Sequence, residues 1–171
     1  MTISLTKLAK ECHEIAKSKG FWDNPRSIDH CRGLAISELG EAINADRIHG
    51  RASIPDFLTN IQDGCGFKYS FELEIKNTFE DELADFLIRV LDYTYHFKIP
   101  IKNLDVLDYK IKYSSFPEIV AYLSYFLNTS PDVALNIFLK YCEENNIDIL
   151  WLVKQKMKYN KTRVRLHGKK Y

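Results

Sequence analysis

The chain has 171 residues, 46% of them hydrophobic and 27% charged, with a formal net charge of +1 at pH 7. That describes one ordinary globular domain with enough chain to bury a sizeable core, and a charge so close to zero offers no overall grip on a polyanion. The cysteines Cys12, Cys31, Cys65 and Cys142 form no C-x-x-C motif and read as buried or incidental thiols of a reducing compartment. With no signal-type apolar region and no apolar run near ~18 residues, the expectation is a cytoplasmic protein without a membrane span.

Taken in order, Ser4 to Lys19 has helical spacing, with Leu5, Leu8, Cys12, Ile15 and Ala16 on one side and Gly20 as its stop. Phe21 to Arg26 reads as a turn. Ser27 to His49 is a long helix in which Glu38 sits at the centre of the apolar stripe, with Cys31, Leu34, Ala35, Ala42 and Ala45 within roughly 60° of it on the wheel. Glu41, three residues on, lies on the flank of the same stripe.

Gly50 to Lys76 is the least periodic stretch, broken by Pro55, Gly64 and Gly66. A short helix near Asp56 to Ile61 and a weak strand over Ser70 to Ile75 are the most it suggests, as a lid or a surface excursion. Thr78 to Lys98 is again helical, capped by Asn77 or Thr78. Its Glu82 is flanked by Phe79, Phe86, Tyr93 and Phe97, with Asp85 three residues on. Leu104 to Lys112 is weakly helical, and Phe116 to Leu127, Pro131 to Asn145 and Asp148 to Thr162 more clearly so. Arg163 to Tyr171 is a basic tail. The expected fold is all-α, a single-domain helical bundle with extra helices.

The chemistry lies in the acids. A carboxylate on a core-facing stripe is costly to bury without a partner or a cation. If the two acidic faces pack together, Glu38, Glu41, Glu82 and Asp85 converge and repel unless protonated or bridged. Their oxygens are hard donors, suited to magnesium or manganese. Solvated helix surface is the plainer explanation of either pair alone, but both pairs fall on apolar sides. Di-iron bundles use Glu-x-x-His, and neither Glu38 nor Glu82 has a His at i+3.

The pattern Glu38-x-x-Glu41 followed by Glu82-x-x-Asp85 resembles the E-x-x-E…E-x-x-D signature of the MazG-like all-α NTP pyrophosphohydrolases. Gly20-Phe21-Trp22-Asp23, Ser37-Glu38-Leu39-Gly40-Glu41-Ala42, Lys156-Met157-Lys158-Tyr159-Asn160-Lys161-Thr162-Arg163 and His167-Gly168-Lys169-Lys170 are similar to segments of that group. The resemblance leaves out roughly Lys102 to Asn146, a helical addition. It implies cleavage of a nucleoside triphosphate between the α and β phosphates, clearing unwanted (deoxy)nucleotides. It makes Glu38, Glu41, Glu82 and Asp85 ligands of magnesium, with manganese as substitute, and Glu41 the candidate general base. It also implies a homo-oligomer, a dimer or tetramer that completes its site by packing bundles together.

Lys156, Asn160 and Arg163 fall at i, i+4, i+7, so one helical face presents an ammonium, an amide and a guanidinium suited to a di- or triphosphate. The plainer roles are a solvated basic end or dipole complement. Nucleic acid is disfavoured as a partner because only Tyr159 and Tyr171 interleave with the basic residues. Arg89 is expected to pair with Asp85 or Asp92, and His30 to sit in the core. Trp22 and Phe21 either stack on a base or staple the start of the helix. The competing class is a catalytically inactive helical module that binds a nucleotide or a protein and keeps the acids for structure.

Overall fold

The computed structural model describes residues 5–102, 115–168 and 170. Among them are eight α-helices and no strand. They are α1 (Leu5–Ser18), α2 (Ile28–Arg47), α3 (Ile54–Gln62), α4 (Phe67–Glu74), α5 (Phe79–His96), α6 (Phe116–Thr129), α7 (Pro131–Glu144) and α8 (Ile149–Thr162), followed by a short 3-10 turn at Arg165–Gly168. The weakly helical reading of Leu104 to Lys112 lies outside the described residues. Among them, no helix is long and apolar enough to cross a membrane.

Helix α5 is the hub. It packs on α1, α2 and α8, and α7 also reaches it. Its Phe79, Leu83, Phe86, Leu87, Val90 and Leu91 are all fully buried, so three sides of this helix face protein. Thr78, not Asn77, caps it, its hydroxyl accepting from the Asp81 amide. Ser27 caps α2 in the same way, accepting from the His30 amide at 3.1 Å. Each cap satisfies one of the orphan donors at a helix start and so fixes where the acidic doublet that follows begins its turn.

The region between the acidic helices is ordered as two short helices. Ile54–Gln62 extends the expected short helix, with Pro55 in its first turn. Ser70 to Ile75 is not a strand. Phe67 and Phe71, four residues apart on α4, lie on one helical face, and Phe71 stacks on Tyr159 of α8 at 4.6 Å. Packing against α8 thus decides between helix and strand where six residues of local pattern do not. Helices α6 and α7 join the same core as the rest. Phe116 meets Phe79 edge-on at 4.8 Å and Phe138 meets Phe86 at 4.8 Å.

Candidate functional site

Glu38 from α2 meets Glu82 and Asp85 from α5. One carboxylate oxygen from each lies within 4.8 Å of the others. Glu38 and Glu82 are buried, 3% and 6% exposed, and Asp85 is partly buried. The wheels explain the meeting: the acids occupy the centre of the two faces that the helices turn toward each other, and the small side chains Ala35 and Ala42, beside Glu38 and fully buried, let the helices approach. Glu41 stands apart from this trio. It is exposed, one turn along α2, though near enough to Glu82 to add to its electrostatic load. Three of the four expected ligands therefore converge, and the fourth lies at the rim.

Two cations back the cluster. Arg89 Nε donates to Glu38 at 3.0 Å, so its partner is neither Asp85 nor Asp92. Lys156 Nζ lies 2.7 Å from Asp81 and 2.8 Å from Asp85. At 3% exposure it is a buried link between α8 and α5 rather than an open phosphate ligand. Burial alone would favour loss of its proton, but Asp85 and Asp81 outweigh that and raise its pKa. Glu82 makes no ion pair among the described residues. Burial, then the charges of Asp85 and Asp81, push its carboxyl up to about 8.

The local balance follows. Arg89 pairs with Glu38 and Lys156 with Asp81 and Asp85, which leaves Glu82 as the acid of the cluster without an ion pair among the described residues. The donor set is carboxylate oxygen throughout, which fits a hard ion such as magnesium or manganese.

Beside the cluster is a cavity of about 50 Å³ between α1, α5 and α8, space for a few waters. Ile15, Phe21 and Ile88 form apolar wall; Asp85, Arg89, Asn160, Arg163 and His167 bring polar groups. Asn160 is buried, and among the described residues neither its Oδ1 nor Nε2 of His167 has a hydrogen-bond partner. Arg163 donates to the His167 carbonyl at 3.3 Å and lies over the Tyr159 ring. Of the expected basic face, then, Asn160 and Arg163 reach the cavity while Lys156 serves the acids.

The aromatic turn also resolves. Trp22 Nε1 donates to Asp92 at 2.9 Å and its ring stacks on His96 at 3.7 Å, so the ring packs on α5 rather than on the start of α2 that it was expected to staple. His13 Nδ1 meets the same Asp92 oxygen at 2.7 Å. His30 is exposed near the start of α2, not in the core as expected. Its wheel position aligned it with Glu41, and both face outward.

Asp81 is the residue the sequence reading passed over. It is 1% exposed, accepts from the Asn77 amide at 3.0 Å and holds Lys156. Its signal was an acid at i−4 from Asp85 on the same helix face, a spacing that lets one ammonium bridge both.

Fold and site together define a class: an all-α protein with a buried three-carboxylate cluster between its two central helices. No family model, no curated protein and no solved structure matches the chain.

Proposed function

We propose that this protein hydrolyses a nucleoside triphosphate to the monophosphate and pyrophosphate in a magnesium-dependent reaction, clearing unwanted (deoxy)nucleotides. The observation that carries the reading is the convergence of Glu38, Glu82 and Asp85 to within 4.8 Å from two helices. Those three residues would hold the cation. When bound, magnesium supplies neutralisation of the non-bridging phosphate oxygens and orients the reacting groups.

The remaining roles belong to the chain itself. Arg89 and Lys156 fix the orientation of Glu38 and Asp85, so the oxygens are set before substrate arrives. Asp81 keeps Lys156 charged and in place. Glu41, solvent-exposed one turn from Glu38, is the carboxylate able to take a proton from an attacking water without being tied to the cluster. Arg163 and Asn160 offer a guanidinium and an amide to the substrate side of the cavity. A homo-oligomer and a cytoplasmic location go with the same reading.

The test is a panel of ribo- and deoxynucleoside triphosphates, with released pyrophosphate measured with and without magnesium. Turnover of at least one member that needs the metal and is lost in Glu38→Gln is expected. A folded protein that turns over none of them is a binding module, and the hydrolase reading fails.

A further inference from the structure

Lys156 is committed to Asp81 and Asp85 and Arg89 to Glu38, and Arg163 lines the cavity beside them; a second group of cations lies elsewhere. A hollow of about 380 Å³ opens between the turn before α2, the first turn of α2 and the C-terminal segment. Arg26, His30, Arg165 and Lys170 line it, with the Asn24 amide. Arg26 makes no ion pair among the described residues; its guanidinium lies 5.6 Å from the centre of the Phe21 ring. Arg165 pairs with Asp23. Arg26, Arg165 and Lys170 thus bring three permanent positive charges to one concave surface, and among the described residues one of them, Arg165, is in an ion pair.

The hollow adjoins the carboxylate site. Phe21 lines both it and the cavity beside Asp85, and the Arg89 guanidinium lies 5.6 Å from the same ring that Arg26 covers. Phe21 is thus shared by the two compartments, with Arg26 and Arg89 each close to its ring.

We infer that this hollow is a binding site for an oligophosphate anion of the pyrophosphate class. Arg26 and Arg165 supply planar forks that match phosphate oxygens two at a time, and Lys170 a point charge. Its size is that of a small-ligand pocket, about 300–1,000 Å³, and four of its ten lining residues are basic. Its role as the resting place of the leaving pyrophosphate rests on the hydrolase reading; its affinity for the anion does not.

The experiment is calorimetric titration of the full chain with sodium pyrophosphate in chelator, at one fixed salt concentration. Saturable binding of one anion per chain is expected, retained in Glu38→Gln. Lys170→Ala, an exposed position that leaves the fold alone, and Arg26→Ala should each weaken it about tenfold or more, the worth of one charge-assisted hydrogen bond. Absence of saturable binding overturns the inference. So does binding that Glu38→Gln abolishes while Arg26→Ala and Lys170→Ala leave it untouched, since the anion then sits among the acids. Pyrophosphate binding by a protein that turns over no triphosphate would sink the hydrolase reading and leave this site standing.

Discussion

Lys156 shows how one side chain changes meaning between wheel and structure. Removing its charge leaves Asp81 and Asp85 facing each other with no counter-ion in a buried setting, a loss of about 3–5 kcal/mol for a broken buried pair. Lys156→Met is therefore expected to shift the urea midpoint far to the low side. A phosphate-gripping lysine would instead leave stability intact and raise KM, so denaturation and kinetics on one variant decide between the roles. His167 makes the second case. Burial and the nearby Arg163 lower its pKa from the ordinary 6.5 to about 3, so it is neutral in the fold. A depressed histidine contributes stability above 6.5 that is lost as pH falls toward 3, because the unfolded chain takes up the proton first. Histidine ring shifts followed by NMR should show His167 untitrated at pH 5, and His167→Gln should flatten the fall in stability between pH 6.5 and 4.

At the level of elements, α5 carries the design: an acidic first turn, three buried faces and one doublet aimed at α2. The α6–α7 pair is welded to it through Phe138 on Phe86 and Phe116 on Phe79. Phe138→Ala is expected to cost about 3–5 kcal/mol and to lower one cooperative transition seen by every probe. Two separate transitions would mean that the pair folds as an independent addition. Helix α5 was legible because its period never breaks, and so was the pairing of its acidic face with that of α2. Helix α4 was not, because Phe71 is helical for the sake of Tyr159, a residue far along the chain. The partners of Arg89 and Lys156 escaped for the same reason: an ion pair between helices depends on their relative placement, which no single wheel contains. Glu41 marks the limit of the wheel itself. A residue at i+3 sits about 60° off the stripe, and whether that angle is buried depends on the neighbour.

Across the whole molecule, the carboxylate cluster lies where α2, α5 and, through Lys156, α8 come together, so whatever fills it ties the bundle's centre. A cation bound only by the folded state stabilises it by mass action. Magnesium at saturation should raise the melting temperature by about 5–10 °C over chelator, the scale for a chain of this length at roughly a hundredfold excess over Kd. Glu82→Gln, relieved of the cost of burying a charge and of repulsion by Asp85 and Asp81, should melt higher than wild type in chelator and lose the magnesium response. A wild-type protein whose melting ignores divalent ions would leave the cluster without its cation.

Gly20 has a reach that its position in a tight turn conceals. Its φ is +81°, and a Cβ there would come within 2.8 Å of Arg165 Nε and 3.0 Å of Asp23 Oδ2, the two groups that clasp the tail to the turn. The Leu166 amide also donates to the Lys19 carbonyl next door, at 2.8 Å. One methyl group at residue 20 would strain the left-handed turn and push the Arg165–Asp23 pair aside, so a change near the beginning of the chain would be felt first in how its far end is held.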